Sequence, residues 1–514
     1  MTRPFRLAAA FMTVGGWTLA SRVMGFARDI LIARYLGAGA AAEAFLVAFA
    51  LPNMFRRFFA EGAFNMAFVP LFSKRLERGE DPQGFAGDAA TALAIILVAL
   101  TLLAQVFMPW LVLAMASGFA GDARFGLAVE MGRIAFPYIL FISLAALVSG
   151  VLNALGRFWV AAAAPVALNV ILVGAMVGAA GLGADIGMAL AWAVPVAGIA
   201  QLALVWGAAR RAGFTVRLRR PRLTPELKRL LVIAAPAALA GGVMQVNLLV
   251  GRQVASFTEG AVAWLGYADR LYQLPLGVVG IAIGVVLLPD LSRRLAAGDR
   301  AGGIDAINRA AEFSLVLTLP AAAALVVIPL PLISVLFERG AFGPEDSAAT
   351  AAALAIYGLG LPAFVLQKVF QPVFFAREDT RSPFRYAVVA MVVNAALAIG
   401  LMPVLGYIAA ALATTGAAWV MLVLLVRGAR RIDGAVELDD RLRRILPRIV
   451  LSTVVMAAGL WLATIPLAGA LGAPGLRYAA LLALVVLGPT LYFGTAIASG
   501  AFSLAQARKF LRRG

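Results

Sequence analysis

Long apolar runs separated by short, arginine-rich polar stretches set the pattern of this chain. A bilayer core needs about 20 consecutive apolar residues per helix. Runs of that size number about fourteen, centred near Gly16, Leu51, Leu97, Leu140, Leu168, Val194, Gly241, Val279, Leu319, Leu359, Val392, Ala413, Met456 and Leu487. They are rich in Leu, Ala, Val and Gly and too long for the alternating ten-residue pattern of a membrane barrel. The pattern therefore predicts an all-α polytopic membrane protein, because a helix satisfies its own backbone in hydrocarbon. The first run lacks the features of a cleavable signal peptide and is expected to be retained.

Composition agrees. Hydrophobic residues make up 62% of 514 positions and charged residues 14%, with a mean hydropathy of +0.93, outside the range of soluble domains. The net charge of +18 would suit nucleic acid, but its placement argues otherwise. With a cytoplasmic N-terminus, the outer loops hold only Arg34, Arg124, Arg339 and Arg477, and predicted spans hold Arg22, Arg28, Arg56, Arg57, Arg133, Arg252, Arg270 and Lys368. Every other Lys and Arg falls inside, which is the positive-inside pattern with both termini cytoplasmic. No nucleic-acid partner is expected. Cysteine and histidine are absent, removing thiolate nucleophiles, imidazole bases and the common zinc ligands, so neither metal nor cofactor is expected. The span acids Asp29, Glu61, Glu130, Asp269 and Glu312 are scattered, most with an arginine nearby, which favours charge pairing over acid–base catalysis.

An internal repeat divides the chain. Pro52, Pro70, Ser73, Pro137 and Asn169 recur as Pro275, Pro289, Ser292, Pro362 and Asn394, and Pro137 to Asn169 and Pro362 to Asn394 are equally spaced. Six spans per half predict parallel repeats: a lobe over 1–222, a second over 223–435, and two further helices over 436–514. Two pseudo-symmetric six-helix lobes facing a central cavity are suited to alternating access.

Charge inside a span is costly and usually faces a cavity or a partner. Arg22, Arg28 and Asp29 lie in the first span, and Asp269 and Arg270 in the eighth. Arg22 and Asp29, seven apart, share a helix face, while Arg28 points about 120° away. At similar depth on opposite lobes, Arg22 and Arg270 are placed to face one anionic ligand, whose phosphate oxygens a guanidinium grips bidentately. The competing reading is structural: Arg22 paired with Asp29, and Arg270 with an acid of another helix. Which of Arg56 and Arg57 lines the inner mouth, and which pairs with Glu61, is left open. Arg133, Arg252 and Lys368 read as structural.

The strings SRVMGFARD from Ser21, LPNMFRRFFAEGAFNMAFVP from Leu51, FPYILFISLAALVSGVLNALGRF from Phe136, YADRLYQLP from Tyr267 and FFAREDTRSP from Phe374 resemble the MurJ (MviN) family of bacterial lipid II flippases. That family belongs to the multidrug, oligosaccharidyl-lipid and polysaccharide exporter superfamily. The resemblance implies transfer of lipid II, undecaprenyl-diphosphate-linked disaccharide-pentapeptide, to the outer leaflet of the inner membrane for cell-wall synthesis. It assigns the essential cavity arginines to Arg22, Arg28 and Arg270, a further one to Arg56, and the first-loop acid to Glu43, where relatives carry aspartate. It implies a groove for the polyprenyl tail along 446–507, and lipid II, membrane lipids and cell-wall synthesis enzymes as partners.

Two departures stand out. Gln273 replaces a glutamate of some relatives, and the span near 230–255 has no carboxylate for the sodium site described in others. Alternatives open on sequence alone are a flippase for another polyprenyl-diphosphate oligosaccharide, a drug or cation exporter of the superfamily, and a scaffold for wall-synthesis enzymes.

Overall fold

The structure is a computed structural model that describes residues 3–56, 63–222, 224–432, 437 and 439–501. Arg57 and Glu61 lie outside them. Among the described residues the regular elements are helical, with one isolated bridge between Arg339 and Phe342.

The first half runs α1 (Arg3–Leu36), α2 (Ala40–Arg56), α3 (Ala63–Arg78), α4 (Pro82–Met115), a 3-10 turn (Ser117–Phe119), α5 (Ala123–Ala135), α6 (Tyr138–Ala154), α7 (Phe158–Leu182), α8 (Ile186–Arg211) and α9 (Pro225–Ser256). The second runs α10 (Ala261–Ala296), α11 (Arg300–Val327), α12 (Pro329–Phe337), α13 (Pro344–Phe375), α14 (Arg381–Leu405), α15 (Ile408–Arg430), α16 (Asp440–Gly472) and α17 (Leu476–Ala498). Among the described residues ten segments are long and apolar enough to cross a membrane: α4, α5 with α6, α7, α8, α11, α13, α14, α15, α16 and α17.

Polar residues bounding the apolar runs fix where helices start. Asp81, Asp185, Thr224, Asp299 and Asp439 each accept the N–H three residues on, at 2.7–3.3 Å, satisfying a donor the helix leaves orphaned. Proline sets the breaks. Pro137 separates α5 from α6, whereas Pro362, its repeat counterpart, sits inside the continuous α13.

The chain forms two compact units, Met1–Ala263 with Arg339–Phe342, and Trp264–Glu338 with Gly343–Gly514. In the first, α7 packs on α1 and α8, α2 on α5, and α6 on α8. In the second, α13 packs on α11 and α15, α14 on α15, and the α16–α17 hairpin on α11.

That hairpin is tied to α11 along its length. At one end Arg309 contacts both Glu312 and Asp439, Arg441 reaches Glu312 at 2.9 Å, and Asn308 donates to the Glu437 carbonyl at 2.7 Å. In the middle Val316, Ile449, Met456, Leu460, Leu484 and Tyr492 form a buried cluster.

Candidate functional site

The α1 segment that carries the arginine signal holds one sealed charge pair and one open charge. Arg28 and Asp29 are both 7% exposed, and Asp29 Oδ1 accepts from Arg28 Nε at 3.0 Å and Nη2 at 2.7 Å. Arg28 Nη1 donates to Asn169 Oδ1 on α7 at 3.0 Å, and Asn169 Nδ2 returns a bond to the Ser21 carbonyl at 3.1 Å. The Arg28 guanidinium also lies 5.8 Å from the Phe49 ring centroid. Buried charges persist only when paired and hydrogen-bonded, and this arrangement meets both conditions while fastening α1 to α7. Gly25 faces the same amide, where a Cβ would make ordinary van der Waals contact at 3.6 Å.

The Arg22–Asp29 pairing of the structural reading does not form. Seven residues of helix put about 10 Å between them along the axis, whereas the long Arg28 stem folds sideways onto its neighbour. Arg22 is exposed and has no ion-pair or hydrogen-bond partner among the described residues. Its guanidinium keeps five donors for an anion.

Glu43 starts α2 and is fully buried. Its Oε2 accepts from Arg124 Nη1 at 2.9 Å and its Oε1 from the Val262 N–H at 2.9 Å. Arg124, 6% exposed, also holds Asp122 through Nε at 2.8 Å and Nη2 at 2.5 Å, and lies 4.4 Å from the Phe119 ring centroid. Asp122 precedes the α5 span, and the Arg124 hydrogen bond holds its carboxyl below the usual range. Gln253 and Ser256 bolt the same region from α9. Gln253 accepts from the Ser117 N–H at 2.8 Å, and Ser256 Oγ from the Gly118 N–H at 2.9 Å. Only glycine fits at 118, where a Cβ would come within 2.5 Å of Ser256 backbone atoms.

Arg56, half-buried at the end of α2, donates through Nε to Asn53 Oδ1 at 3.2 Å. In the second unit Asp269 and Arg270 are half-buried on α10. Gln273, one turn on, donates its amide to Asp269 Oδ2, so a neutral side chain occupies the place where a glutamate would repel that carboxylate. Nearby Tyr272 packs against Tyr357 and Phe364, with ring centroids 5.7 and 5.5 Å apart.

Sequence reasoning missed two parts of this arrangement. Asn169 was visible only as a repeat landmark, and its role as the receiver of Arg28 needed the α1–α7 contact. Arg124 read as one more outer-loop cation, because 81 positions separate it from Glu43. Among the described residues no group of three or more acids could hold a metal ion.

A family model described as lipid II flippase MurJ matches residues 32–477. A probable lipid II flippase MurJ of Rhizobium meliloti (strain 1021) is 47% identical over 520 residues, covering 99% of this chain and 97% of the relative. The lipid II flippase MurJ of Burkholderia cenocepacia is 36% identical over 498 residues, covering 95% and 96%. Among solved structures, a lipid II flippase MurJ in an inward closed conformation superposes with a TM-score of 0.78 at 24% identity, covering 95% of this chain and 98% of that one. An inward-facing MATE family transporter of the MOP superfamily gives 0.67 at 16% identity, covering 81% and 95%. At those identities the likeness is one of fold.

Proposed function

The chain belongs to the lipid II flippase MurJ family, and on that premise we propose that it moves lipid II from the cytoplasmic to the outer leaflet of the bacterial inner membrane, supplying cell-wall synthesis. It acts as a transporter and breaks no bond. The observation that carries the site assignment is Arg22, exposed and unpartnered among the described residues beside a neighbouring Arg28–Asp29 pair that is already neutral.

In this reading about fourteen spans form two six-helix lobes, 1–222 and 223–435, around a central cavity, with both termini cytoplasmic. Helices in 436–514 line the groove for the polyprenyl tail. Arg22 and Arg56 from one lobe and Arg270 from the other grip the diphosphate, the anion geometry that arginine fits bidentately. Arg28 joins them by exchanging Asp29 for substrate, and Asp29, Glu43 and Asp269 hold the cationic residues and their helices in position. Membrane lipids and cell-wall synthesis enzymes are its partners. Rocking of the lobes exposes the headgroup to each side in turn. A membrane potential of about 100 mV supplies about 2.3 kcal/mol per charge moved, enough to bias that motion.

The test is complementation. A host depleted of its own lipid II flippase receives this chain, or Arg22→Ala, Arg56→Ala or Arg270→Ala at matched membrane levels, and outward lipid II is followed. The parent is expected to rescue and Arg22→Ala and Arg270→Ala to fail. A correctly inserted parent that fails, or variants that all rescue, overturns the substrate or the site.

A further inference from the structure

Arg133 and Gln105 are joined by an exchange of side chains for missing backbone donors. Pro109 in α4 has no N–H to give the Gln105 carbonyl, and Pro137 after α5 has none for the Arg133 carbonyl. Arg133 Nε donates to the Gln105 carbonyl at 3.1 Å, and Gln105 Nε2 donates to the Arg133 carbonyl at 2.9 Å. The helices meet closely here because residue 132 is glycine, where a Cβ would lie 2.8 Å from Met108 Sδ.

With Nε so engaged, the two terminal nitrogens of Arg133 are free to turn toward a groove of about 510 Å³ lined by Pro109, Phe125, Gly126, Val129, Glu130 and Arg133, with Ile134 at its end. Glu130 and Arg133 are both exposed and, three apart, share one helix face. The adjoining α4 surface is apolar and open, with Leu102, Val106 and Trp110 62–69% exposed, as a surface facing hydrocarbon is. Gln105 lies five residues, about 7 Å, below Trp110, and tryptophan favours the headgroup level. The Cα–Cβ bond of Arg133 tilts toward the start of α5, so its guanidinium snorkels toward that interface, with Glu130 one turn nearer to it.

We infer that this groove binds an outer-leaflet phospholipid carrying a primary amine, with its phosphate on Arg133 and its ammonium beside Glu130. A cation and an anion in this order match that zwitterion and disfavour a quaternary amine, which has no N–H to give a carboxylate. Assigning the outer leaflet rests on the orientation proposed above; the pairing of charges with headgroup does not.

The full chain is placed in nanodiscs of phosphatidylethanolamine, phosphatidylcholine and phosphatidylglycerol in equal parts, and retained lipids are counted by native mass spectrometry after detergent release. The parent is expected to retain phosphatidylethanolamine over phosphatidylcholine by about fivefold, the ratio one exposed ion pair can supply. Glu130→Gln, which leaves the proline-linked exchange untouched, is expected to abolish that preference while keeping a bound phospholipid and normal lipid II transfer. Arg133→Gln is expected to lose the retained lipid. Equal retention of the three lipids by the parent, or a preference that survives Glu130→Gln, overturns the inference. Failure of lipid II transfer by the parent with the preference intact overturns the flippase reading and leaves this site standing.

Discussion

The Tyr492 hydroxyl on α17 donates at 2.8 Å to the carbonyl of Val316 on α11, the carbonyl that Pro320 deprives of its helical partner. Val316 and Tyr492 are buried, so water cannot replace the bond. Tyr492→Phe should cost about 1–3 kcal/mol, the penalty for a buried acceptor left unmade. Restoring the N–H with Pro320→Ala should shrink the cost of Tyr492→Phe. A thermal-unfolding cycle of the four proteins in detergent measures the coupling, and strictly additive effects would show that proline does not create the need for the tyrosine.

Arg22 and Arg28 should separate function from stability. Arg28→Ala removes the ion pair to Asp29 Oδ1 and the link to Asn169, so a loss of up to about 3–5 kcal/mol is expected, with Asp29→Ala on the same chain recovering part of it. Arg22→Ala should leave unfolding within about 0.5 kcal/mol of the parent and yet remove lipid II transfer. Unfolding midpoints and transfer measured on the same preparations check this, and a large midpoint shift for Arg22→Ala would assign that residue to packing.

The difference between those arginines marks what the sequence could convey. Apolar runs long enough for hydrocarbon announce helices because that pattern is local, and the repeated prolines and asparagines raise a duplicated plan as an expectation. Helical geometry also placed Arg28 off the Arg22–Asp29 face. It could not decide which arginine Asp29 would bind, since that depends on side-chain reach and on Asn169 arriving from α7. Arg133 reads as structural in the sequence, which does not supply the reason. The reason lies in two prolines, 109 and 137, whose freed carbonyls become neighbours only when α4 meets α5.

Acid should weaken the region around Asp122. Its folded-state carboxyl is held low, first by the Arg124 hydrogen bond, so its contribution is fully present above the unfolded value of about 3.9 and fades as pH falls through the lower folded value. Asp122→Asn keeps a side-chain acceptor for the Arg124 N–H but not the charge. The stability gap between parent and variant should be constant from neutral pH to about pH 5 and narrow below that. Denaturant midpoints across this range decide it, and a gap that widens toward acid would contradict the assignment.

Glu43 poses the sharpest choice between a substrate contact and a structural lock. Its two oxygens are committed to Arg124 and to the Val262 N–H. Glu43→Ala leaves both donors buried and should approach the 3–5 kcal/mol loss of a broken buried pair, moderated because Arg124 retains Asp122. Glu43→Gln keeps an acceptor for one of the two donors and turns an amide N–H toward the other, so its loss should fall between that of the parent and that of Glu43→Ala. Glu43→Leu with Arg124→Met replaces the pair by apolar volume, which in other proteins is often neutral or stabilising, although the Val262 N–H then loses its acceptor. If Glu43 serves only to hold the start of α2, the double variant should regain transfer as it regains stability. A double variant that is stable at the parent's unfolding midpoint but transfers no lipid II would assign the carboxylate a part in the transport cycle itself.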